Sequence, residues 1–182
     1  MELRYKDILL RQATKTDAKQ LAAWWNDGGV MAHAGFPNGL GITEKEVAEG
    51  LREGMMMIEV GNRVIGECCY RDKSEHVAEI GIKICDSEYQ NRGIGKVVLS
   101  MLIHTLFQKG YRKIVLDTNL NNTRAQHVYE SIGFKKIRVN RNSWTDQLGK
   151  LQSSVDYELT EKCFVDFAIS DCCINEEIYD DI

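Results

Sequence analysis

The 182-residue chain predicts a mixed α/β domain whose sheet is mostly antiparallel and holds one parallel strand pair. Three observations carry that prediction. The first half strings short apolar runs between tight polar turns, the pattern of a hairpin meander. The second half sets strands on either side of a long amphipathic helix, the pattern of a β-α-β crossover. An apolar share of 43% with a single proline is enough for one sizeable core and leaves no linker.

Taken in order, Ile8–Ala13 reads as the first strand. Thr16 reads as the N-cap of a helix with Ala18, Leu21, Ala22 and Trp25 on one face, ended by Asn26-Asp27-Gly28-Gly29. Val30–Gly41 holds Pro37 and three glycines and reads as a loop. Thr43, with Glu46 three residues on, is a capping box that opens a helix ending near Gly54. Met55–Val60, a Gly61-Asn62 turn and Val64–Tyr70 make a hairpin, and His76–Ile84 adds a third strand. A glycine-containing loop, Gln90–Lys96, leads into a helix with Ile94, Val97, Val98, Met101, Leu102, Thr105 and Leu106 at helical spacing, closed by Gly110. Ile114–Thr118 is a short buried strand, and Asn122 caps a helix reaching about Ser131. Phe134–Asn140 and Ser154–Leu159 are the last strands. Residues 1–160 thus form a single domain, and residues 161–182 an acidic C-terminal tail.

The net charge of −4 belongs to that tail. Residues 163–182 hold six acids and no Lys or Arg, whereas residues 1–162 carry 23 bases against 21 acids. Neither part has the dense basic patch of a nucleic-acid binder. No run approaches the ~18 apolar residues of a membrane span, and Met1–Gln12 lacks the apolar stretch of a secretory signal. A soluble, cytoplasmic protein with neither nucleic-acid nor membrane partner is the expectation. Six cysteines with no C-x-x-C, and His33, His76, His104 and His127 off ligand spacing, point to reduced thiols and no metal.

Chemistry concentrates between Glu79 and Lys96. There a strand, a short polar connection and two glycines meet the first turn of an amphipathic helix. Free N–H groups and the macrodipole at a helix start favour a phosphate, and Gly93 and Gly95 let it reach the backbone. Arg92 and Lys96 add positive charge. The spacing matches neither a Walker A loop nor the dinucleotide fingerprint, which would need a glycine where Val98 stands. A glycine helix start selected for tight packing is the other reading.

Gln90-x-x-Gly93-x-Gly95 resembles the acyl-CoA-binding signature of the GNAT superfamily of N-acyltransferases. Asn122-Thr123-Arg124-Ala125, followed by Tyr129-Glu130 and Ile132-Gly133-Phe134, resembles its second signature. The likeness covers roughly residues 8–160, and Trp24-Trp25-Asn26-Asp27 looks most like the branch of ribosomal-protein and antibiotic N-acetyltransferases. It implies a GNAT-like central sheet with helices on both faces and a parallel pair that splays apart around acetyl-CoA as acyl donor. On that resemblance Ile82, Lys83 and Ile84 offer backbone groups to the pantetheine arm. Gln90, Asn91, Arg92, Gly93, Ile94, Gly95 and Lys96 hold the pyrophosphate, Asn122 contacts the cofactor and Ala125 gives it room.

Acetyl transfer to an amine needs a proton removed, a carbonyl oxygen stabilised and a thiolate released. Glu79, eleven residues before Gln90, resembles the glutamate base of some family members; an exposed glutamate, or one paired to Arg or Lys, is the plain alternative, and Glu67 a weaker candidate base. Tyr129, seven residues after Asn122, resembles the family's tyrosine acid, which would protonate the departing sulfur, with a core tyrosine as its alternative. Trp24, Asp27 and His33, with Trp25 and Phe36 nearby, fall in the region that shapes the acceptor pocket in proteins of this resemblance; Trp144, Asp146 and Asp156 would line the opposite wall. The expected activity is N-acetylation of a primary amine on a small molecule or a peptide N-terminus. A non-catalytic CoA-binding sensor or assembly module is the alternative, and a nucleotide-binding protein the third reading. A homodimer is compatible with the sequence, which does not identify the amine.

Overall fold

A computed structural model describes residues 1–168. Eight strands form one sheet: β1 (Glu2–Tyr5), β2 (Ile8–Gln12), β3 (Met55–Val60), β4 (Arg63–Ser74), β5 (Val77–Ile84), β6 (Lys113–Asn119), β7 (Lys135–Thr145) and β8 (Leu151–Thr160). Their order is β1-β2-β3-β4-β5-β6-β8-β7, and only β5 and β6 run parallel. The helices are α1 (Ala18–Trp25), α2 (Gly28–Met31), α3 (Glu44–Gly50), α4 (Ile94–Gln108) and α5 (Thr123–Ile132).

Side chains alternate across β3, so its neighbours belong to two cores. Met56 and Ile58 join a large core with α4 and α5, while Met57 joins a smaller one with α1 and α3. Helices therefore cover both faces, as expected.

Five local expectations shift. The chain starts with a hairpin not foreseen, β1 on β2, turned at Lys6 with φ +52°. The box before α1 is set by Thr14, not Thr16: Asp17 accepts from the Thr14 N–H at 2.8 Å and is fixed by Arg11 on β2 at 2.7 and 2.8 Å. Val30–Gly41 is not all loop, because Asp27 accepts from the Gly29 N–H at 2.7 Å and caps α2. The Thr43–Glu46 box does open a helix, but α3 stops at Gly50. β7 and β8 run longer than their apolar patterns suggest, since β7 is an edge strand exposed along most of its length.

The chain beyond β8 packs back on the domain. Phe164 packs on Phe107 with ring centroids 5.8 Å apart, and the Phe167 N–H donates to the buried Ser100 Oγ at 3.0 Å, so residues 161–168 lie along α4. The rest of the acidic tail, with Cys172 and Cys173, lies outside the described residues.

The parallel pair positions the site. β5 and β6 pair only at Val77–Lys113, Ala78–Ile114 and Glu79–Val115. Beyond that point Ile80–Ile84 stays on β4 and Leu116–Asn119 stays on β8, so the two strands diverge and leave a wedge between them.

Candidate active site

The wedge opens into a cleft of about 870 Å³. Its floor is β5 from Ile80 to Ile84 and β6 from Asp117 to Asn119. One end is the turn into α4, the other the segment after α1.

At the turn, Gly93 has φ +77° and serves as N-cap of α4. At the start of α4 the Lys96 N–H donates to the Gly93 carbonyl at 3.1 Å, the N–H groups of Ile94 and Gly95 have no acceptor among the described residues, and all three residues line the cleft. A Cβ built on Gly93 or Gly95 would meet nothing within 4 Å. Tight packing is therefore not why these glycines stand there; the space beside them is open to a ligand. Gln90 joins the wedge's two sides, its amide donating to the Ile84 carbonyl at 2.8 Å and its oxygen accepting from Arg124 of α5 at 2.9 Å. Asn122 caps α5 by accepting from the Ala125 N–H at 3.3 Å.

Tyr129 enters from α5. Its ring is buried between Phe134 and Tyr157, each 5.9 Å away by centroid, yet its hydroxyl has no partner among the described residues and is not sealed in protein. Burial, followed by the nearby Asp117 charge, pushes the phenol up to about 12, so it keeps its proton at any working pH.

Of the sequence-predicted residues, the cleft brings together Ile82, Lys83, Ile84, Gln90, Asn91, Gly93, Ile94, Gly95, Lys96, Asn122, Ala125, Tyr129 and His33. It leaves out Arg92, whose guanidinium lies over the Tyr89 ring at 5.5 Å. It also leaves out Trp24, which lines a separate small cavity with Arg63 and Asp86, and Asp27, spent on capping α2.

Glu79 is not a lining residue. Burial alone would raise its carboxyl, but hydrogen bonds from Arg71 and Lys73 outweigh that and hold it below the ordinary range, weakening it as a base. This is the paired-glutamate alternative. Glu67 is likewise engaged, accepting from Trp25 at 2.8 Å and Lys83 at 3.1 Å.

Sequence reasoning missed Asp117, Arg124 and His127, all lining the cleft. Arg124 sits inside the second signature, where a basic side chain two residues past a helix cap was a usable signal. Asp117 had one too: Ile114 and Leu116 alternate inward, so Asp117 must face the other way. Trp144 does line the opposite wall, its ring 2.4 Å from where a Cβ on Gly35 would lie. Asp156 and Asp146 are not in the lining; Asp146 caps the turn between β7 and β8 by accepting from Leu148 and Lys150 N–H groups at 2.9 Å.

The match of the acetyltransferase (GNAT) family model runs over residues 5–134, spanning both signatures and the wedge. The chain belongs to the GNAT family. Within it, the chain is 32% identical over 65 residues to a ribosomal protein bS18-alanine N-acetyltransferase from Escherichia coli. That match covers 36% of this chain and 44% of the relative, less than half its length. Among solved structures, a GNAT acetyltransferase from Bacillus anthracis superposes with a TM-score of 0.77 at 19% identity, covering 89% of this chain and 99% of that one. A spermidine N-acetyltransferase from Vibrio cholerae, solved with CoA and spermine, gives 0.76 at 18% identity, covering 86% and 97%. At such identities the structural likeness is one of fold.

Proposed function

We propose that this GNAT chain transfers the acetyl group of acetyl-CoA to a primary amine of a small molecule or of a peptide N-terminus, and does so in the cytoplasm. The carrying observation is the wedge between β5 and β6, with open space over Gly93 and Gly95 at one end and, within, a Tyr129 hydroxyl that bonds no described residue. Those features fit a long thioester with a pyrophosphate near one end.

Backbone groups of Ile82–Ile84, beyond the last β5–β6 pair, would hold the pantetheine arm. The α4 N-terminus, with Lys96 and Arg124, would hold the pyrophosphate. Acetyl-CoA supplies the activated carbonyl. Tyr129 supplies a hydrogen-bond donor to the departing sulfur, worth most as negative charge develops there. Glu79 is given no part in the proton transfer, because Arg71 and Lys73 hold its carboxylate. The name of the bS18-alanine relative supports an α-amine acceptor, that of the spermidine enzyme a small polyamine. Free thiols at Cys68, Cys69, Cys85 and Cys163 support a reducing compartment.

Calorimetric titration with acetyl-CoA, using ATP and NADH as controls, tests the reading. Saturable binding of acetyl-CoA alone is expected, followed by amine-dependent release of free thiol. Absence of acetyl-CoA binding, or thiol release indifferent to added amine, would overturn it.

A further inference from the structure

Residues 161–168 lie beyond the family match, which ends at residue 134, and the acetyl-transfer reading makes no use of them. They run as a strap along α4 and the end of α5 and reach Lys96, which lines the cleft. The strap is firmly tied where it begins. Phe164 packs on Phe107, and the Val165 N–H donates to the carbonyl of Ile132, the last residue of α5, at 2.8 Å. Cys163 passes so close to Gly133 that a Cβ built there would lie 1.9 Å from the Cys163 carbonyl oxygen.

Lys96, Ser100 and His104 are spaced by four along α4 and so share one face of the helix, and the strap engages each of them. The Asp166 carboxylate, with its side chain 8% accessible, sits 3.2 Å from His104 Nδ1 and accepts from the Ala168 N–H at 2.7 Å. The Phe167 N–H donates to Ser100 Oγ at 3.0 Å. Ser100 is fully buried, where a hydroxyl without a strap partner would be costly. These contacts fix the backbone on both sides of the Phe167 side chain. The Lys96 ammonium lies over the Phe167 ring, with Nζ 5.1 Å from the centroid.

Lys96 stands in the first turn of α4, and its side chain makes no ion pair or hydrogen bond among the described residues. The Phe167 ring is therefore what locates that charge. Arg92 is the contrast: its guanidinium lies over Tyr89 and stays out of the cleft. A lysine held in place before the ligand arrives gives up its rotamer freedom on folding and no longer loses it on binding.

We propose that Phe167 is a positioning residue of the cofactor site: the strap brings its ring to Lys96, and the ring holds the ammonium at the turn into α4 for the phosphates of acetyl-CoA. This rests on the acetyl-transfer reading above and adds to the site a piece of chain outside both signatures. The ring touches no reacting atom; it acts on affinity for the donor through Lys96. An aromatic face is required, because its electron-rich centre attracts the cation, whereas an aliphatic side chain of similar size only covers it. Phe167 is 39% exposed and Lys96 half-buried, so the contact falls between the fully exposed and the desolvated case.

The test is calorimetry of the full chain with acetyl-CoA. Phe167→Leu should raise the Kd about three- to tenfold. Phe167→Tyr keeps the ring face and should stay within about twofold of wild type. Lys96→Met should weaken binding by itself, and adding Phe167→Leu to it should change the Kd by less than about twofold, because no ammonium remains to be held. The assignment is overturned if Phe167→Leu leaves the Kd within about twofold of wild type, or if Phe167→Tyr binds as poorly as Phe167→Leu. It is equally overturned if Phe167→Leu costs as much beside Lys96→Met as it does alone, since the ring would then act on the fold or on the ligand directly. Failure of wild type to bind acetyl-CoA would instead sink the acetyl-transfer reading, and this one with it.

Discussion

Gly95→Ala should move stability and ligand affinity in opposite directions. Gly95 is the second residue of α4, its φ lies outside the left-handed region, and an added Cβ meets nothing within 4 Å. In the free protein the methyl therefore costs no packing. Restricting the unfolded chain should stabilise the fold by about 0.4–1 kcal/mol, a rise in Tm of roughly 1–4 °C at this size. With ligand present, the same methyl occupies the space through which a pyrophosphate reaches the first-turn N–H groups. Loss of one such charge-assisted hydrogen bond is worth about 1.5–3 kcal/mol, so the Kd for acetyl-CoA should rise roughly 10- to 150-fold. Thermal melts without ligand and calorimetry with acetyl-CoA read the two effects separately. An unchanged Kd would mean the open space is not ligand space; a fall in Tm would refute the packing argument. Gly93 cannot serve, because its φ of +77° makes any side chain strained.

Tyr129→Phe keeps the ring contacts with Phe134 and Tyr157 and removes a hydroxyl that bonds no described residue. Tm should stay within about 2 °C while kcat falls roughly 100-fold, about 2.7 kcal/mol, at unchanged acetyl-CoA affinity; unchanged turnover in the thiol-release assay would remove it as the donor. Glu79→Gln should leave kcat/KM within about threefold, since Arg71 and Lys73 already occupy that carboxylate; abolished turnover at an intact acetyl-CoA Kd would restore Glu79 as base. Arg11→Met strips the partner from the buried Asp17 and should cost about 2–4 kcal/mol by urea denaturation, somewhat softened because Arg11 is partly exposed. Arg11 holds the Asp17 carboxyl below its ordinary value in the fold. That contribution is therefore complete above the unfolded value and lost as pH falls through the folded one. The stability gap to wild type should accordingly close on acidification; a gap independent of pH would refute the ion-pair account.

Much of the frame is written locally. The Thr43–Glu46 box, the Asn122 cap, Gly110 after α4 and the hairpin around Gly61-Asn62 are interactions within a few residues of chain, and each forms where its residues predict. Gly93 and Gly95 are legible for the same reason: a backbone needing no side chain announces itself in sequence. The short β1 is not legible in sequence because half-exposed Glu2–Tyr5 has little apolar alternation to show. The full length of β7 is not legible because an edge strand exposed on both sides, Lys135–Thr145, has no reason to alternate.

The sequence by itself determined the order of elements, the helix start able to meet a phosphate and the tyrosine placed beyond it. Only the tertiary structure decided which strand carboxylate is held by cations and which is not. Glu79 and Asp117 are both strand acids near a phosphate turn or its neighbour, and nothing within a few residues separates them. The difference lies in what the sheet brings alongside: Arg71 and Lys73 from β4 pair with Glu79, whereas Asp117, past the point where β5 and β6 diverge, has no ion pair among the described residues. The far wall of the cleft joins His33 and Gly35 to Trp144 and Gln147, more than a hundred residues apart at the extremes. Local pattern reports backbone preference; the charge that remains unmatched in a cleft depends on pairings across the sheet, which no short window of sequence contains.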